Sequence, residues 1–159
     1  MGEITNSINP SAWNPVQLDL NIPFDLERSP LQIKTNSTKG SGDEIRVSMK
    51  NTGGKFIGAV AVRFHAPDIK FKISKCTHND DFVKFVTEPP EEVNKTWTIR
   101  KTNTRISIEC NGVLLRKFNL ASKDQCVSTW GGDIVKKIAF TSTSGHDTAS
   151  ISYRAKPGI

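Results

Sequence analysis

Apolar and polar residues alternate one by one along most of this chain. Val16, Leu18, Leu20, Ile22 and Phe24 take turns with Gln17, Asp19, Asn21 and Pro23. Successive side chains of a strand point to opposite faces, so this segment reads as a half-buried strand whose proline suits an edge or a strand end. Leu31 and Ile33 mark a short second strand, and Ile45, Val47 and Met49 a third. After the turn Asn51-Thr52-Gly53-Gly54, Val60, Val62 and Phe64 share one face while Ala59, Ala61, Arg63 and His65 share the other. Beyond the break at Pro67-Asp68, Ile69, Phe71 and Ile73 face away from Lys70, Lys72 and Ser74. Phe82 to Val86 makes a short strand, and Glu88-Pro89-Pro90-Glu91-Glu92 a stiff acidic turn. Trp97 and Ile99, then Ile106 and Ile108, form the inner face of the next two strands. Asn111-Gly112 between period-two segments predicts a two-residue hairpin, because both residues tolerate a positive φ. Ile138 and Phe140 mark a further core strand, and Ile151 and Tyr153 the last.

No segment carries a helical period of useful length. The run Asp133 to Phe140 is short and rich in β-branched residues, which favours a strand. Many short strands with regular turn signals predict an all-β fold, a two-sheet antiparallel β-sandwich or jelly roll. Residues 1–14, polar apart from Trp13 and a few others, read as an N-terminal arm that lies on the domain or frays, and residues 15–159 as one β-sandwich domain. A chain of 159 residues suffices for such a core, and its hydrophobic fraction of 36% suits a thin sandwich with one wet face per sheet.

Charge changes the picture more than composition does. Twenty-two basic residues against 16 acidic ones leave a net charge of +6. Such a surplus attracts polyanions at long range: sulfated or sialylated glycans, anionic membrane surfaces, nucleic acid. The basic residues are spread out rather than gathered in an arm, which argues against a nucleic-acid-binding tail. No apolar run is long enough to span a membrane. The polar start shows no signal peptide, and Met1-Gly2 is compatible with a start placed before a mature secreted chain. The triplets Asn36-Ser37-Thr38 and Asn94-Lys95-Thr96 are glycosylation sequons. Three cysteines, Cys76, Cys110 and Cys126, leave at least one thiol unpaired within a monomer. They are either free thiols in a reducing compartment or one disulfide plus a leftover. If a bridge forms, the expected pair is Cys110 with Cys126, which flank the hairpin and its loop, with Cys76 left over. Closing about 15 residues would contribute roughly 3 kcal/mol in the chain-entropy model.

Catalytic chemistry finds little support. Histidine is scarce, and the cysteines lack the paired spacing of a zinc site. The loop His78-Asn79-Asp80-Asp81 offers only part of the oxygen set that calcium needs. No Gly-x-Ser-x-Gly elbow occurs, so no catalytic residue, metal or cofactor is expected. One constellation has a physical basis. Arg63 and His65 share the polar face of one strand, and Lys70 and Lys72 that of the next. Arg105 is placed to project similarly from the hairpin region. If these strands lie in one sheet, that face is a shallow basic surface whose fixed donors suit sulfate, carboxylate or phosphate. Trp130, beside two glycines, either stacks on a sugar ring or caps the core.

The order of elements from Phe82 to Phe140 resembles the C-terminal half of a galectin-type lectin, a concanavalin-like β-sandwich. It runs short strand, proline turn, Trp97 to Lys101, Thr104 to Cys110, Asn111-Gly112, Val113 to Leu120, then Gly132-Asp133-Ile134 leading into Ile138-Ala139-Phe140. The family's sugar signature, His-x-Asn-Pro-Arg and then Trp-Gly-x-Glu-x-Arg, is replaced here by Phe64-His65-Ala66-Pro67-Asp68 and Thr77-His78-Asn79-Asp80-Asp81. Trp130-Gly131-Gly132-Asp133 matches the second motif in letters but follows the hairpin, so no galactose site is carried over. Trp97-Thr98-Ile99, Cys110-Asn111-Gly112 and the run Asp147 to Tyr153 also resemble invertebrate β-sandwich domains, among them one labelled farnesoic acid O-methyltransferase in arthropods. No glycine-rich strand-to-helix turn suited to S-adenosylmethionine accompanies them.

These readings converge on a non-catalytic, secreted, lectin-like protein that binds glycans or other polyanions, with Arg63, His65, Lys70, Lys72, Arg105 and Trp130 as candidate ligand-binding residues. The alternative is an extracellular structural or self-assembly module without a small ligand. Homo-oligomerisation is compatible with either.

Overall fold

The alternation becomes twelve strands in the computed structural model, which describes residues 4–8, 16–77, 81–119, 130–132, 134–142 and 149–155. They are β1 Ile4–Ile8, β2 Val16–Asp25, β3 Leu31–Thr35, β4 Glu44–Lys50, β5 Phe56–Phe64 and β6 Ile69–Ile73. Then come β7 Val83–Lys84, β8 Lys95–Lys101, β9 Arg105–Cys110, β10 Val113–Asn119, β11 Ile134–Ser142 and β12 Ala149–Ala155. The described residues contain no helix. One six-stranded sheet runs β1-β12-β3-β8-β9-β10, and the other runs β2-β11-β4-β5-β6-β7. Every pairing is antiparallel. The fold is an all-β two-sheet sandwich.

Register shows why the sequence period works. Across the second sheet, Phe140 pairs with Val47, Val47 with Val60 and Val60 with Ile73. One row further along, Ile45 pairs with Val62 and Val62 with Phe71. Each row is apolar throughout and buried. A slip of one residue on any strand would turn its whole apolar set to water, so burial pins the register. The first sheet meets these rows with Leu31, Ile33, Trp97, Ile99, Ile106 and Ile108, each at most 2% exposed. The expected core residues Trp97, Ile99, Ile106, Ile108, Ile138 and Phe140 are thus all interior.

Aromatic rings join the sheets at one end. Phe85 stacks on Phe71 at 4.3 Å and on Trp97 at 5.8 Å, and Phe64 meets Trp97 edge-on at 6.2 Å. The buried indole N–H of Trp97 donates to Thr35 Oγ1 at 3.0 Å, which removes the penalty of an orphan donor. At the hairpin, Asn111 and Gly112 have φ of 49° and 83°, the left-handed pair that a two-residue loop between right-twisted strands requires. The Asn111 side chain then ties the turn to the start of the neighbouring strand β8: its Oδ1 accepts from Thr96 N and its Nδ2 donates to Asn94 O.

Two features differ from expectation. Ile4–Ile8, within the segment read as an arm, forms β1 and pairs with β12. The cysteine pairing is corrected: Cys76 is disulfide-bonded, and Cys110 is a free thiol. Cys110 occupies an inward position at the end of β9 opposite Trp97, fully buried among core side chains. Cys126 lies outside the described residues.

Candidate anion-binding face

The outward side chains of β4, β5 and β6 make rows across the second sheet. In one row Glu44 pairs with Arg63, Arg63 with Lys70 and Lys70 with Lys84. In the next, Thr141 pairs with Arg46, Arg46 with Ala61 and Ala61 with Lys72. The third row sets Ser48 against Ala59, and the Ser74 hydroxyl accepts from Ala59 N at 3.0 Å. Alanine methyls on the central strand, between longer side chains on its neighbours, leave a depression. It has a volume of about 160 Å³ and is lined by Arg46, Ala59, Val60, Ala61, Lys72 and Ser74.

Arg63 is held in place. Its Nε and Nη2 donate to Glu44 Oε1 at 3.2 and 2.9 Å, while Arg46 Nη2 donates to Glu44 Oε2 at 3.2 Å. The Arg63 guanidinium also lies 3.8 Å from the ring centre of Phe82, with Lys72 Nζ 5.9 Å from the same ring. A planar cation fixed by a carboxylate and an aromatic face loses little side-chain entropy when it meets an anion. Lys70 and Lys72 stand in no ion pair with any described residue; both lie half-buried on β6, Lys70 directly across from Arg63 and Lys72 two residues further along.

The structure therefore brings Arg63, Lys70 and Lys72 onto one face. His65 is exposed just past the end of β5, before the turn at Pro67. Arg105 belongs elsewhere: it lies on β9 of the opposite sheet, paired with Asn119. Trp130 is also corrected as a sugar platform. It is only 5% exposed, its Nε1 donates to Ser74 O at 3.0 Å, and it belongs to the apolar core. The indole packs against Gly58, where any side chain would occupy its place. Arg46, Glu44, Phe82 and Lys84 complete the face and escaped sequence reading. Arg46 carried a usable signal as the polar residue between inward Ile45 and Val47, but only cross-strand register places it beside Ala61.

A second cavity, of about 200 Å³, opens at the end of the Arg63–Lys70–Lys84 row. Ile69, Phe85, Pro89, Pro90 and Val93 give it apolar walls, and charged side chains rim it. Lys84 sits 3.5 Å from Asp68 at its edge. Lys95 is buried at its base and donates to Glu92 O. Burial pushes the Lys95 ammonium below the usual lysine range, partly opposed by Cys110 and Glu92. Burial likewise raises the Cys110 thiol to about 12.

No family model matches the chain, and no curated protein does. Solved structures do. A Crh5 transglycosylase in its apo form superposes with a TM-score of 0.57 at 13% identity, over 99% of this chain and 72% of that one. A tetrameric galectin from the ball sponge Cinachyrella sp. gives 0.53 at 11% identity, over 90% and 100%. Congerin II, liganded with lactose and MES, gives 0.50 at 12% identity, over 89% and 99%. The chain is similar to these proteins in fold, a galectin- and concanavalin-like β-sandwich that lectins and carbohydrate-active enzymes share.

Proposed function

We propose that this protein is a non-catalytic, secreted lectin whose second-sheet outer face binds anionic glycans carrying sulfate or carboxylate groups. The observation that carries the reading is the basic row Arg63–Lys70–Lys84 beside a depression floored by Ala59 and Ala61 and walled by Arg46 and Lys72. Alanine leaves room for a sugar ring against the sheet, and the flanking cations supply donors at its edges. The fold neighbours lend support, since congerin II is liganded with lactose and another Crh5 structure with NAG. Retaining or inverting glycosidases need two carboxyl groups facing each other across the bond. On this face Glu44 is neutralised by Arg46 and Arg63, which favours holding over cleaving.

Contacts in a shallow wet site are mostly Coulombic. Retention on heparin should therefore fall steeply as the Debye length shrinks from about 10 Å at 0.1 M salt to about 3 Å at 1 M. The double variant Lys70→Glu, Lys72→Glu should pass through the column with its thermal stability nearly intact. Arg105→Glu, on the other sheet, changes net charge by the same amount per residue and should be retained almost as the wild type is. Equal losses from both variants would mean that net charge, not this face, holds the ligand. A glycan array of sulfated and neutral sugars then identifies the class, and binding to none of them would sink the reading.

A further inference from the structure

We propose that the cavity beside Lys84 is a second subsite, for an aromatic ring or similarly compact apolar group carried by the anionic saccharide; this rests on the reading of the basic face given above. Continuity is the first reason. Lys84 is both the cross-strand partner of Lys70 in the basic row and a wall of the cavity. Ala61 lies two strands and two residues from Lys84, roughly 12 Å by strand spacing and rise, so one extended ligand spans both. Chemistry is the second. Ile69, Phe85, Pro89, Pro90 and Val93 offer apolar walls, and Val93 remains 48% exposed at the mouth. Size is the third: a cavity of about 200 Å³ compares with the roughly 150 Å³ apolar cavity known to take benzene.

The cavity is also stiff. Phe85 stacks against both Phe71 and Trp97, and paired prolines contribute a further rigid part of the lining. A preformed wall costs little ordering on binding. The rim charges set the polarity of what enters. Lys39, Lys84 and Lys95 are matched by Asp68, Glu88 and Glu91 among the lining residues, so the cavity holds no strong surplus of either sign. An uncharged ring fits that balance better than a second sulfate does.

Calorimetric titration with a sulfated monosaccharide as its methyl glycoside and as its phenyl glycoside tests the subsite. The phenyl form should bind wild type about tenfold more tightly. Tenfold is about 1.4 kcal/mol, the return on roughly 55 Å² of apolar surface removed from water. Val93→Asn, which makes the mouth polar without adding charge, should erase that advantage and leave methyl glycoside binding as it was. Val93→Trp, which fills the cavity instead, should do the same. Equal binding of the two glycosides by wild type overturns the subsite and leaves the basic face standing, as does an advantage that survives both variants. If wild type binds neither glycoside, the face reading fails and the subsite fails with it.

Discussion

Replacing Gly58 by alanine tests how firmly Trp130 closes the sandwich. A Cβ at this position would lie 2.5 Å from Cδ2 and Cε2 of the indole and 2.7 Å from Cε3. Carbon atoms settle about 3.5–4.0 Å apart, so the ring would have to retreat by about 1 Å. Two anchors oppose that retreat. Trp130 Nε1 donates to Ser74 O at 3.0 Å, and Gly131 N donates to Ile57 O at 3.0 Å. Overpacking costs about 1–3 kcal/mol, and stretching the indole hydrogen bond adds about 0.5–1.5. The smaller conformational freedom of an unfolded chain with alanine returns about 0.4–1. The net expectation is a loss of roughly 0.5–4 kcal/mol, read as a lower urea midpoint with unchanged slope by far-ultraviolet circular dichroism. In a Trp130→Leu background the clash is gone, and the same substitution should be neutral or slightly stabilising. An unchanged midpoint for Gly58→Ala, or an equal loss in both backgrounds, would refute the placement of Trp130 against the sheet.

Three other outcomes follow from the same interior. Ile108, fully buried in the first sheet, should cost roughly 2–5 kcal/mol when cut to alanine, and a denaturation midpoint equal to wild type would contradict its facing. Non-reducing peptide mapping should recover Cys76 bridged to Cys126, the one other cysteine left once Cys110 is free, while Cys110 should resist alkylation until the protein unfolds. A bridge at Cys110 would overturn the assignment. Alkaline pH should expose the Cys110 thiol energetically. Its folded pKa of about 12 lies above the ordinary 9.0, so the unfolded chain releases the proton first. That contribution is intact below about pH 9 and is lost towards pH 12 at up to about 1.4 kcal/mol per pH unit. Lys95, with its lowered pKa, works in the opposite direction, so the contrast is drawn between wild type and Cys110→Ala in urea titrations from pH 8 to 10.5. Parallel pH profiles for the two proteins would show that the thiol is not held in its neutral form.

Period two carried most of the fold. The runs at Ile45–Met49, Val60–Phe64 and Ile69–Ile73 announce both their strands and their facing, because a half-buried strand has to alternate. Strand β1 escaped because Ile4-Thr5-Asn6-Ser7-Ile8 holds only two apolar residues, and its pairing with β12 joins opposite ends of the chain. The candidate face was legible where its residues lie on neighbouring strands. Arg63 and Lys70 are cross-strand partners, and the turn between β5 and β6 is short enough for sequence to imply as much. Arg105 was misplaced because alternation assigns a face within a strand and says nothing of which sheet receives it. Trp130 stood in a glycine-flanked segment that suits either exposure or capping. What decides is Gly58, 72 positions away along the chain, whose missing side chain makes room for the ring.

Charge by itself does not choose between the two solvent faces. The first sheet also carries cations, Lys34, Arg100 and Arg105, on β3, β8 and β9. There Arg100 Nε donates to Glu109 Oε2 at 2.7 Å, and the neighbouring positions are Thr96, Thr98 and Ser107. The short side chains between those charges, Thr98 and Ser107, are hydroxyl-bearing, so the floor beneath an anion there is polar and keeps its water. The second sheet differs in what floors its dip. Ala59 and Ala61 sink the middle strand below Arg46 and Lys72, so under the proposed function a ring lying over half-buried Ala59 would bring its substituents level with the cations instead of beneath them. Burial of one face of the ring then adds to the Coulombic attraction rather than competing with it. On this argument the alanines matter to binding as much as the lysines do, although neither residue type signals a site when read alone.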